Sequence, residues 1–114
     1  MIAAGGGGAK QKRGLPAPVS FSRAELSTIL SVYGRKVARG EWRDYALDML
    51  RDRARFSIFQ RASDVPMFVI EKEPRLRAKQ GMYRVSTGQG RVLKRGPELE
   101  AVLRSIGHEL VVVK

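Results

Sequence analysis

Apolar and polar positions divide this chain into segments with different periods. Leu26, Ile29, Leu30, Tyr33 and Val37 recur at helical spacing and give one apolar face over about 23–39. The start is signalled twice. Ser22-Arg23-Ala24-Glu25 has the spacing of a capping box, and Phe21 and Leu26 occupy the two positions of a hydrophobic staple. Arg35, Lys36 and Arg39 crowd the last turn, where the helix dipole favours cations, and Gly40 suits the position just past the end.

From Gly40 to Ala62 the pattern changes. Trp42, Tyr45, Ala46, Met49 and Leu50 fit a helical stripe, whereas Tyr45, Leu47 and Met49 alternate with Asp44, Ala46 and Asp48 as in a half-buried strand. The strand reading, over about 43–50, is preferred because of the next ten residues. Arg51-Asp52-Arg53 is a short polar link, and Ala54–Gln60 alternates again with Phe56 and Ile58 on one side, which makes a hairpin. Ser63-Asp64-Val65-Pro66 reads as a turn. Met67–Ile70 is apolar on both faces and reads as an inner strand covered on both sides, ending in Glu71 and Lys72. Glu73–Gln80 is a loop or helical turn. Met82–Ser86 and Arg91–Arg95 flank a glycine-containing turn, with Tyr83 and Val85 set against Val92 or Leu93 as the inward residues. Gly96-Pro97-Glu98 opens a last helix whose buried stripe is Leu99, Val102, Leu103 and Ile106, with Gly107 ending it. Leu110–Val113 is a short β-branched run, an added edge strand or a loose tail. The expected fold is α+β: a small antiparallel meander of about five strands packed by an N-terminal and a C-terminal helix.

Length and composition narrow the class. The chain has 114 residues, the size of one domain, and no cysteine, so disulfides and thiolate metal sites are excluded. Residues 1–18, with the Gly5–Gly8 run followed by Lys10, Lys12, Arg13, Pro16 and Pro18, read as a disordered basic tail, and 19–114 as the domain. No apolar run is long enough to span a bilayer and no secretory signal is apparent, so the expected setting is cytoplasmic.

Net charge changes the picture most. Twenty-two Lys and Arg against 11 Asp and Glu give +11, a balance that favours a polyanionic partner. Arg75, Arg77 and Lys79 fall close together, and Arg91, Lys94 and Arg95 come from the following hairpin. If the two segments adjoin, these six cations are the candidate site for an anion such as an RNA or DNA backbone, with Tyr83 or Met82 as a flat surface for a base. The alternative is a protein-interaction adaptor docking on a larger, acidic partner, with the cations at the rim.

Catalytic and metal chemistry find little support. Asp44, Asp48 and Asp52 each have an arginine nearby and read as a salt-bridged face, Asp44 with Arg61 being the one pair that burial could strengthen. His108 is the only histidine, there is no G-x-S-x-G among the serines, and Thr87–Gly90 lacks the spacing of a phosphate loop. The expectation is a non-enzymatic module without cofactor or metal.

The order VSFSRAELSTILSVYGRKVARGEWRDYALD, ARFSIFQRASDVP, YRV and GRVLKRGPELEAVLRSI resembles an uncharacterised alphaproteobacterial family, domain of unknown function 2794, over roughly Val19 to Ile106. Gly40, Trp42–Tyr45, Gly90 and Lys94-Arg95-Gly96 carry the resemblance. It implies a bacterial cytoplasmic setting and brings no activity, cofactor or substrate with it.

Overall fold

A computed structural model describes residues 17–60 and 65–107. The elements follow one another as α1 (Arg23–Ala38), β1 (Asp44–Met49), β2 (Ala54–Phe59), β3 (Phe68–Lys72), a 3-10 turn (Pro74–Leu76), β4 (Tyr83–Thr87), β5 (Val92–Gly96) and α2 (Leu99–Gly107). The strands form one antiparallel sheet in the order β1-β2-β3-β4-β5, a meander of consecutive hairpins, so the α+β reading holds. The N-terminal tail, Arg61, the first half of the Ser63–Pro66 turn, His108 and Leu110–Val113 lie outside the described residues.

Local chemistry starts and stops these elements as the sequence suggests. Ser22 Oγ accepts from the Glu25 N–H while Glu25 Oε1 accepts from the Ser22 N–H, which completes the capping box of α1. Gly40 ends it at φ 76°, in the left-handed region that glycine enters without a Cβ clash. Residues 44–49 are a strand and not a continuation of a helix, because their alternation pairs them with β2 while Trp42 folds into the core before the strand begins.

The register sorts side chains onto two faces. Phe56 and Ile58 on β2, Ile70 on β3 and Tyr83 and Val85 on β4 share the face that both helices cover. There they meet Phe21, Ile29 and Trp42 and the α2 stripe Leu99, Val102, Leu103 and Ile106. Residues one position away point to the other face, which no helix among the described residues covers. β3 is therefore central but not covered on both sides: Val69 and Glu71 look out onto the open face. The β4–β5 pairing also differs from expectation. A bulge between Val85 and Ser86 shifts the register, so Tyr83 meets Gly96, Val85 meets Lys94, and Val92 is left exposed opposite Ser86.

Two glycines fix the loops against the sheet. A Cβ on Gly81, at φ 95°, would collide with the backbone of Gly96, which ties the segment after the 3-10 turn to the end of β5. A Cβ on Gly88 would overlap the Pro66 carbonyl oxygen, so only glycine lets the β4–β5 turn rest on the chain before β3.

Candidate functional site

The open face carries one row of charge from edge to edge. Asp48 on β1 sits opposite Arg55, Arg55 opposite Glu71, Glu71 opposite Arg84, and Arg84 opposite Arg95 on β5. Signs alternate across four strands and then fail at the fifth, where two arginines face each other. Direct cross-strand neighbours stand close enough for such pairs to interact, favourably for opposite charges and unfavourably for like ones.

The centre of this row is saturated. Glu71 is 4% exposed. Its Oε1 accepts from Arg84 through Nε at 3.0 Å and also from Arg84 Nη2, while Oε2 accepts from Arg55 Nε at 3.1 Å and Arg53 Nη1 at 3.3 Å. Glu73, also buried, lies 3.1 Å from Arg53 Nη2 and 4.0 Å from Arg84 Nη2. Burial works against the Glu71 carboxylate, but the hydrogen bonds and charge of Arg84, followed by Arg55 and Arg53, outweigh it and hold the pKa below the ordinary value. This centre is a structural charge cluster whose donors and acceptors are already matched.

The β5 margin is the opposite case. The Arg95 side chain makes no hydrogen bond or ion pair among the described residues, and its Nη1 is buried without an acceptor. A buried guanidinium N–H without a partner is costly. The nearest charge across the strand is Arg84, already committed to Glu71 and Glu73. Arg77 lies toward the helix-covered side instead: its Nη2 is 3.9 Å from Met82 Sδ, Met82 packs against the core, and the Arg77 charge acts on the buried Tyr83 hydroxyl. Lys79 stands exposed in the same segment.

The remaining sequence candidates are placed differently. Arg75 is exposed and lies 3.7 Å from Asp52 of the β1–β2 turn. Arg91 belongs to the turn at the far end of β4, where its backbone N–H donates to Thr87 Oγ1. Lys94 is exposed opposite Val85 and so points to the helix side, away from its neighbour Arg95. Of the six cations, the contacts among the described residues bring none against another: Arg95 is on the open face, Arg77 and Lys79 are in the segment before β4, and Arg75, Arg91 and Lys94 lie elsewhere. Tyr83 cannot serve as a flat surface for a base. It is buried beneath the helices and its hydroxyl donates to Glu25, so burial and that carboxylate push its pKa well up.

Beside the row runs a shallow groove of about 550 Å³. Its floor is the next register level, Ala46, Ser57, Val69 and Ser86, with Phe59 and the Gly88 turn also lining it. Small side chains keep this floor low.

Arg53, Arg55, Arg84, Glu71 and Glu73 form the cluster that sequence reading missed. The signal was present as i, i+2 spacing, Arg53 with Arg55 and Glu71 with Glu73, which places each pair on one side of an extended chain. A second omission lies on the helix side. Lys36 is 1% exposed, its Nζ donates to Glu41 at 2.9 Å and stands 5.6 Å from the centre of the Trp42 ring. Glu25 also exceeds its capping role, accepting from Lys72 Nζ at 2.8 Å and from the Tyr83 hydroxyl. Burial alone would raise the Glu25 pKa, and these bonds with that from Ser22 lower it overall.

Among the described residues no group of His, Cys, Asp or Glu is arranged to hold a metal ion, and no helix is long and apolar enough to cross a membrane. The chain belongs to the family described as a protein of unknown function (DUF2794), which matches residues 19–103. No curated protein and no solved structure matches the chain.

Proposed function

For this member of the family we propose a binding module for a polyanion, with a nucleic-acid backbone as the partner whose chemistry fits best. The contact set is Arg95, opposite Arg84 on the open face, joined by Arg77 and Lys79 of the segment that precedes β4. The observation that carries the reading is Arg95. Its guanidinium faces another arginine, and its buried Nη1 has donor capacity that nothing in the described chain uses. A phosphate oxygen would supply the missing acceptor and restore alternation of charge along the row. The net charge of +11 draws a polyanion to the surface, and neutralising phosphates releases counterions, so binding falls as salt rises.

The test is fluorescence anisotropy with a labelled single-stranded oligonucleotide, titrated at several salt concentrations. Wild-type protein binds with a log–log salt slope of about −0.7 per phosphate contacted. Arg95→Glu and Arg77→Glu each weaken binding at least tenfold while the thermal melt stays cooperative. Binding that is insensitive to salt, or unchanged in both variants, overturns the proposal.

A second reading, an adaptor on a larger protein, is favoured by one separate observation: Tyr45, Leu47 and Met49 form an exposed apolar row on the edge strand β1.

A further inference from the structure

β1 is the other margin of the charge row, and it differs from β5 in kind. Among the described residues it pairs only with β2. All six of its residues are exposed. One face is apolar, with Tyr45 at 43%, Leu47 at 38% and Met49 at 55% exposure. Tyr33 of α1 touches the Tyr45 ring edge-on at 5.1 Å, and Leu30 and Val37, which share that side of α1, are exposed too, so the apolar surface extends from the strand onto the helix. The other face of β1 is acidic, with Asp44 and Asp48 flanking Ala46.

Among the described residues the edge is open for pairing over part of its length, up to Leu50, whose carbonyl accepts from the Val19 N–H at 2.9 Å. The Tyr45 N–H is taken by its neighbour's carboxylate, Asp44 Oδ1, at 2.8 Å and not by β2. By alternation, Tyr45, Leu47 and Met49 are the residues whose backbone groups turn away from β2. Asp44 covers the first of these positions, which leaves Leu47 and Met49. The Asp48 carboxylate makes no hydrogen bond or ion pair among the described residues, although it begins the row whose next members are Arg55 and Glu71.

Charge then decides between occupants. A second copy paired antiparallel through β1 brings aspartates together. With Ala46 at the two-fold centre, Asp44 lies directly opposite Asp48 of the copy. With Leu47 at the centre, Asp48 lies diagonal to Asp44 of the copy. Like charges at these spacings oppose pairing. An extended segment that alternates basic and apolar side chains has the reverse fit. Its basic residues face Asp48 and extend the alternating row by one member, and its apolar residues cover Leu47, Met49 and the adjoining side of α1.

We infer that β1 is a strand-addition site for a segment of another protein that alternates Lys or Arg with apolar residues, held at Leu47–Met49 through the backbone and at Asp48 through charge. This gives the adaptor reading a definite partner chemistry and is independent of anion binding at Arg95. Main-chain hydrogen bonds supply affinity in such additions, and the alternating side chains supply selectivity.

The test uses the full chain and two synthetic peptides, four repeats of Lys-Val and four repeats of Glu-Val, with binding followed by titration calorimetry and by amide shifts in NMR. The protein carries +11, so long-range attraction favours the Glu-Val peptide, and preference for Lys-Val can arise only from a local acidic site. The expected result is saturable binding of Lys-Val with shifts centred on Leu47–Met49, and at least a tenfold loss in Asp48→Lys, an exposed substitution that leaves the fold intact by circular dichroism. A second variant, Leu47→Pro, removes the outward N–H, and the same loss follows if it remains folded. Preference for Glu-Val, shifts confined to β5, no binding of Lys-Val, or concentration-dependent self-association that shifts β1 amides overturns the inference.

Discussion

At the centre of the open face Glu71 meets three arginines, whereas at its margins Asp48 and Arg95 meet no partner among the described residues. The residue types are the same and only their place in the sheet differs. A central strand has a neighbour on each side, so every charge there finds an opposite charge at cross-strand distance. An edge strand has one neighbour, and the alternating row must end with a charge that looks outward. Groups used up in holding the sheet together have little left to offer a partner. Groups at the margins have that capacity, one margin as a cation and the other as an acid beside exposed apolar side chains.

The largest effect that separates centre from margin is expected at Glu71. Glu71→Ala leaves Arg53, Arg55 and Arg84 without their shared acceptor and costs about 3–5 kcal/mol of unfolding free energy, as when one member of a buried charge cluster is removed. Asp48→Ala, at the exposed start of the same row, changes stability by less than about 0.5 kcal/mol. Urea denaturation of both variants checks the contrast, and equal losses would erase it.

Acid attacks the centre in the same way. The folded pKa of Glu71 and of Glu25 lies below the 4.5 of an unperturbed glutamate. Their contribution to stability is therefore complete above that value and is lost as pH falls through the lower folded pKa. Urea midpoints hold between pH 7 and 5 and then drop below about pH 4.5, and Glu71→Gln flattens that drop.

Gly88→Ala tests whether the turn beside the groove is as fixed as the centre. The new Cβ meets the Pro66 carbonyl, so a loss of about 1–3 kcal/mol is expected in the thermal or urea transition. Gly90→Ala, at φ 100° but in open space, reports backbone strain without that clash and serves as its control.

The smallest effect on stability, and the most informative, is at Arg95. Arg95→Leu removes an unsatisfied buried donor and its opposition to Arg84, so the protein melts at the same temperature or up to a few degrees higher. The same variant loses oligonucleotide binding. A residue that opposes folding and supports binding is one whose capacity is reserved for a partner.

Much of the fold was legible because short-range rules decide it. The capping box set the start of α1, Gly40 its end, and Pro97 with the Leu99–Ile106 stripe gave α2. Alternation located β1 and β2, a continuous apolar run β3, and a glycine-containing turn β4 and β5, each within a residue or two. The strand at 44–49 could be separated from a helix only through the hairpin it forms with β2, since Trp42 and Met49 fit both periods. The site was less legible. Lys94 and Arg95 are adjacent in sequence and part company by pointing to opposite faces, while Arg77 turns toward Met82 and the buried Tyr83 and not toward Arg95. Tyr83 reads both as an inward residue and as a flat surface for a base, and its hydroxyl bond to Glu25, far away in the chain, decides for the first. Lys36 reads as a solvated helix end until Glu41 and Trp42 fold over it.

Residue order alone was enough for the succession of elements, the helix-covered face, the basic balance and the family, because these depend on local spacing and composition. Which charges are paired within the sheet and which are left outward emerged only in the assembled sheet. That outcome depends on register: five residues widely separated along the chain, Asp48, Arg55, Glu71, Arg84 and Arg95, become one row when the meander closes, and a charge is neutralised or left outward according to the number of strands beside it.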